Sequence, residues 1–87
     1  MWIMVSGPYT AGGATAEARK ENLAAMNRAA VALLRMGHTP VIGVNAALPM
    51  IEAAGEAAFA EIMMPLSLAL AERCDACLRI GGPSSGQ

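Results

Sequence analysis

Trp2-Ile3-Met4-Val5, running straight into Ser6-Gly7-Pro8, is the stretch on which the fold turns. Four apolar residues with no polar alternation suit a strand buried on both faces, as in a parallel sheet. Ser-Gly-Pro then stops it, because glycine and proline favour a turn. Outward from this strand, residues 7–15 form a loop, Gly-Pro-Tyr-Thr-Ala-Gly-Gly-Ala-Thr, made largely of turn residues. Thr15 has the side chain of a helix N-cap, although Ala18 stands where a capping box needs Glu or Gln.

The next element reads as a helix over 16–36. Leu23, Met26, Ala30, Leu33 and Leu34 fall at helical spacing on one apolar face, while Glu21, Arg28 and Arg35 stack on a solvated one. Gly37 ends it, at the position where a left-handed residue costs glycine least. A second strand follows over 39–43, with Pro40 near its start, where a missing amide is tolerated. Residues 45–49 read as a connection and 51–73 as a second helical region that Pro65 breaks in two. A third strand over 76–80 is closed by Gly81-Gly82-Pro83, and 84–87 read as a loop or tail.

Strands alternating with helices predict an α/β fold: three parallel strands in a β-α-β-α-β chain with right-handed crossovers. Placing strand one in the middle gives the order 2-1-3. Open sheets of this kind bind ligands beyond the carboxyl ends of their strands, where the order reverses. The loops there are 7–15, 43–49 and 81–87.

Composition narrows the function. Eighty-seven residues predict one domain over 1–87, burying roughly 60–65% of its unfolded surface. Hydrophobic residues make up 55%, but nineteen are alanines, so the core is expected to be thin, aliphatic and methionine-rich. Such a core makes a homo-oligomer the expected state. The net charge of -1 and six scattered basic residues exclude the basic stripe of a nucleic-acid binder. No apolar run approaches the ~18 residues of a membrane span, and Met1 to Val5 is too short for a signal peptide. A cytoplasmic location is the expectation. Cys74 and Cys77 do not make a disulfide-dense scaffold.

Two readings of the first loop stand side by side. Ser6 and the glycines can bring backbone amides to a phosphate or sugar, helped by the following helix N-terminus; or this is an ordinary βα loop. There is no complete G-x-G-x-x-G and no P-loop lysine. The last loop, Gly81 to Gly86, also carries hydroxyls and amides, and alone it is equally a tail. At one sheet edge, the two together suit an anion.

Ser6-Gly7-Pro8-Tyr9-Thr10 after the first strand resembles the opening of the nucleoside 2-deoxyribosyltransferase-like family, in particular its short relatives. The resemblance continues through Asn22, the Ala-rich helix ending in Leu34-Arg-Met-Gly-His-Thr-Pro40, Arg73-Cys-Asp75 and Gly82-Pro-Ser-Ser-Gly86. It spans nearly the whole chain, and its specificity comes from the order of short motifs. It implies a flavodoxin-like (Rossmann-like) sheet and a pocket for a nucleoside or nucleotide. Carried over by position, the substrate-binding residues are Ser6, Gly7, Pro8, Tyr9, Thr10, Ser84 and Gly86. No metal and no cofactor is implied.

The family breaks or transfers an N-glycosidic bond through a carboxylate nucleophile. Here the sequence departs from it. The family's catalytic glutamate follows Ser-x-Gly by a few residues, and this sequence ends at Gln87. Met4 stands where some relatives have a strand-one tyrosine, and Ser67 stands where a helper aspartate is expected. No catalytic residue is therefore assigned. The expectation is either a longer natural chain or a unit that binds without catalysing; the alternative function is a non-catalytic binding or assembly module.

Other reactive side chains have simpler roles. His38 is a residue type used for acid–base work, but it follows a helix-ending glycine and so suits a turn better. Cys74-Asp-Ala-Cys77 has C-x-x-C spacing, yet it leaves a helix and enters a strand, the reverse of a thioredoxin-like motif, and supplies only two of four zinc ligands. Asp75 is expected to fix the helix-to-strand turn. Glu52, Glu56 and Glu61 fit a solvated helix face.

Overall fold

A computed structural model describes residues 1–9 and 15–81. The fold is α/β: β1 (Trp2–Ser6), α1 (Ala16–Arg35), β2 (Thr39–Ile42), α2 (Gly43–Ala54), a 3-10 turn (Glu56–Ala58), α3 (Phe59–Arg73) and β3 (Ala76–Arg79). The strands form one parallel sheet in the order β2-β1-β3. β1 therefore lies in the centre, with Ile3 paired to Pro40 on one side and to Ala76 on the other.

Side-chain alternation sends β1 in two directions. Val5 and Ile42 pack with Met26 in a buried cluster that Leu23, Ala29, Ala30 and Leu33 of α1 extend. Met4 points to the opposite face, where its Cε lies beside Gly43 and close to Ser67 of α3. Helices thus cover both faces, as right-handed crossovers in opposite directions require. The core is as thin as the composition implies: the buried apolar residues are Ile3, Met4, Val5, Met26, Ile42, Ala47 and Ile51.

Thr15 caps α1, its hydroxyl accepting the Ala18 N–H at 3.1 Å, without a capping box. Met36 closes the helix, and Gly37 follows at a φ of 91°, a conformation open to glycine. On the solvated face Arg28 meets Glu21 at 3.0 Å; both are well exposed, so the pair adds little stability.

The middle of the chain corrects the expectation. Residues 45–49 are not a connection, because α2 begins at Gly43, directly after β2. The break between the two later helices falls at Gly55, with φ 100°, and Pro65 sits inside α3 as Pro49 sits inside α2. Each proline forfeits one helical hydrogen bond, to the carbonyl of Asn45 or Glu61. Both rings are on exposed positions, where those carbonyls can turn to water. Packing of α2 against α3 outweighs the local penalty.

The third strand differs too. It is paired to β1, but all four of its residues are exposed. The helices lie over β1 and β2, and α3 packs chiefly on α2.

The amino-terminal edge of the sheet is held by backbone bonds and one carboxylate. Asp75 Oδ2 accepts the Trp2 N–H at 2.7 Å, and the Asp75 N–H donates to the Trp2 carbonyl at 2.8 Å. The Thr39 N–H donates to the Met1 carbonyl at 2.9 Å, and His38 Nδ1 lies 3.2 Å from the Met1 amino group. Asp75 and His38 therefore fix turns, at the amino-terminal end of the sheet. Among the described residues, no helix is long and apolar enough to cross a membrane.

Candidate ligand-binding site

At the carboxyl edge, β1 leaves the sheet through a narrow passage. A Cβ on Gly7 would lie 3.1 Å from Ile80 Cγ1 and 3.2 Å from the Ile80 carbonyl oxygen, so only glycine fits without displacing the chain beyond β3. The Ile80 N–H donates to the Ser6 carbonyl at 2.9 Å. Pro8 then meets Gly81, whose own Cβ would approach the proline ring to 3.0 Å at a φ of 74°. The segments leaving β1 and β3 are thereby locked side by side. Asn22 of α1 donates to the Tyr9 carbonyl at 3.3 Å, tying the first loop to the helix it precedes.

A second close approach forms the other wall. A Cβ on Gly43 would come within 2.7 Å of Ser67 Oγ and 3.1 Å of Met4 Cε, so the missing side chain lets α3 reach the start of α2. Asn45 donates to Asn27 Oδ1 at 2.9 Å, linking that first turn of α2 back to α1. Asn27 in turn donates to the Leu23 carbonyl at 3.0 Å.

Between these walls lies a cavity of about 420 Å³. It is within the size range of small-molecule sites. Met4, Met26, Val44, Phe59, Met63 and Met64 make its apolar lining, and its polar side chains are the hydroxyls of Ser6, Tyr9 and Ser67. No charged side chain lines it. Thioether and aromatic surfaces of this kind accept a flat, uncharged ring and adapt to its outline. A second cavity of about 380 Å³ is lined by Tyr9, Arg19, Leu48, Ile51, Glu56 and Phe59, so Tyr9 and Phe59 border both.

Of the expected substrate-binding residues, Ser6, Gly7 and Tyr9 line the larger cavity, and Pro8 braces its rim against Gly81. Thr10, Ser84 and Gly86 lie outside the described residues. Phe59, Val44 and the methionines of α3 are additions that the sequence did not single out for the site, while Ser67, singled out by the resemblance as standing in place of a helper aspartate, does line it.

The acidic residues stay away from the larger cavity. All seven acidic side chains of the chain are exposed, and of the two cavities the smaller has Glu56 in its lining while the larger has no acidic residue among the described ones. Cys74 closes α3 and Cys77 lies in β3, both as free thiols. Burial pushes the Cys74 thiol up, with Cys77 and Asp75 adding to the shift, the opposite of an activated thiolate. Among the described residues, no group of three or more His, Cys, Asp or Glu side chains is placed to hold a metal ion. No family model, curated protein or solved structure matches the chain, so the resemblance seen in its motifs rests on those motifs alone.

Proposed function

We propose that this protein binds a nucleoside or nucleotide, with deoxynucleoside 5′-monophosphates among the ligands, at the carboxyl edge of its sheet. The observation that carries this reading is the 420 Å³ cavity at the carboxyl end of the central strand β1, bordered by Ser6, Gly7 and Tyr9. Open α/β sheets place ligands there. The apolar lining suits a nucleobase, and the Ser6, Tyr9 and Ser67 hydroxyls can donate to or accept from its edge or its sugar. The motif resemblance supplies the same ligand class independently. A cytoplasmic setting is part of this reading.

Chemical-shift mapping with a deoxynucleoside monophosphate tests it. Shifts are expected at Ser6, Gly7, Tyr9 and Ser67, and at the Thr10, Ser84 and Gly86 amides. Shifts confined to the other edge, around His38 and Asp75, would remove the proposal.

The same reading includes self-association. Met64 and Leu68 of α3 are 62% and 57% exposed, and β3 is an open edge strand. Exposed apolar helix surface beside an unpaired strand edge favours association. A homodimer or larger oligomer that covers part of the 51–73 region is expected in sedimentation at micromolar concentration. A stable monomer there would refute it.

A further inference from the structure

We infer that a second copy of this chain docks on the open edge of β3, antiparallel and about a two-fold axis at Cys77, so that Asp75 of each copy faces Arg79 of the other. The inference rests on the self-association reading and states on which edge, and in what register, the copies meet.

The two edges of the sheet differ. On the β2 side the Thr39 N–H donates inward to the Met1 carbonyl, so by alternation Pro40 turns outward, and a proline without an N–H blunts an edge. β3 has no proline, all four of its residues are exposed, and among the described residues no strand pairs with its outer side. Its unpaired amides and carbonyls are a template for another strand.

The charges select the occupant and its register. Two identical strands related by a two-fold axis perpendicular to their sheet run antiparallel, with one residue opposite itself. Centred on Cys77, the pairing sets Ala76 against Leu78, and Asp75 against Arg79 on both sides of the axis. Centred on Ala76, it sets Arg73 against Arg79, two like charges. Centred on Leu78, it sets Arg79 against Cys77 and Asp75 against Gly81. Opposite charges directly across a strand pair stabilise it and like charges destabilise it, which leaves the Cys77 register. Asp75 accepts the Trp2 N–H through Oδ2, and a carboxylate accepts at both oxygens, so Oδ1 serves the arginine.

The faces agree as well. Cys77 pairs with Met4, whose side chain lies on the α3 face of the sheet, and alternation puts Asp75 and Arg79 on that face too. A perpendicular axis joins like faces. The two sheets then run on as one, β2-β1-β3-β3-β1-β2, with both α3 helices on the same side. Met64 and Leu68, one helical turn apart and exposed, give that side apolar surface for the seam.

Cys74→Ser protein, in which Cys77 is the sole thiol, reads the register directly. Residues opposite each other in an antiparallel pair lie about 4.5–5.5 Å apart between Cα atoms, within the roughly 4.4–6.8 Å span of a disulfide. Diamide takes two electrons and two protons from the facing thiols, and it is expected to convert most of this protein into a covalent dimer at micromolar concentration. Cys77→Ser alone should give none, and Arg79→Asp in the Cys74→Ser background should lose most of it. In sedimentation, Arg79→Asp sets carboxylate against carboxylate and should raise the dimer dissociation constant at least about tenfold. An equimolar mixture with Asp75→Arg restores both charge pairs and should recover the dimer. Dimers that persist in Arg79→Asp and form no Cys77 disulfide would overturn the inference and leave self-association standing on another surface. A wild-type monomer would overturn both. Should Asp75→Arg not fold, the Cys77 disulfide and Arg79→Asp decide without it.

Discussion

Met26→Ala is expected to lower the melting temperature by about 10–30 °C, enough to leave much of the protein unfolded near body temperature. Met26 is 1% exposed and packs on Val5 and Ile42, so it joins α1 to the two strands that α1 covers. Truncating a buried methionine removes about 2–5 kcal/mol through lost burial and the cavity left behind. A chain of 87 residues holds only about 4–13 kcal/mol in total. With seven buried apolar residues among the described ones, there is little else to share the loss. Met26→Leu, which keeps the volume, should cost less than about 1.5 kcal/mol. Thermal denaturation of the pair is the check, and near-equal melting temperatures would mean that the α1–sheet contact is not the core. Because Met26 also borders the larger cavity, the leucine variant should still bind ligand.

The 87-residue chain is expected to bind its ligand and release no free base above the uncatalysed background. Covalent glycosyl transfer needs a carboxylate at the anomeric carbon, and no acidic side chain borders the larger cavity. Where the family that the motifs resemble has its two helpers, this sequence has Met4, which has no proton to donate, and Ser67, whose hydroxyl is no general base at neutral pH. Loss of an acid–base partner alone typically costs about 10²–10⁴-fold. On the proposed reading binding draws on backbone amides, hydroxyls and apolar surface, and not on these groups. Chromatographic assay for free base, beside a binding titration, reads both halves. Base release abolished by Glu56→Gln, Glu61→Gln or Glu72→Gln would place a nucleophile on the later helices and end this account. Glu56 is the variant to make first, as the one acidic residue at a cavity wall.

The topology was legible because the punctuation of the chain is local. Ser6-Gly7-Pro8, Gly37 and Gly81 each end an element by restricting or freeing their own backbone, and the strand order follows from handed crossovers. The middle was not legible, because there the deciding term is tertiary. Asn45, Pro49 and Pro65 disfavour helix taken singly, yet α2 and α3 support each other and carry all three. The first wall of the site could be read from Ser6, Gly7 and Tyr9, since strand ends and glycines mark it. The wall from α3 could not. Whether Phe59, Met63 and Ser67 face a cavity or a core depends on where α3 lies, and no periodicity in its own sequence encodes that position.

The central place of β1 also dictates the order in which the molecule can assemble. Ile3 must meet Pro40 and Ala76, partners 37 and 73 residues further along. Closing the longer of these loops from an open chain costs on the order of 4 kcal/mol of entropy, and it is rewarded by a four-residue strand that stays exposed and by the Asp75–Trp2 and Ile80–Ser6 bonds that flank it. The β1-α1-β2 unit closes a shorter loop and gains the Val5–Met26–Ile42 cluster at once. It is the natural nucleus, and β3 is the last strand to dock and the first to leave. On the ribosome, β1 emerges before β2 and β3 and then waits, unpaired and apolar, until Pro40, 37 residues beyond Ile3, has followed it.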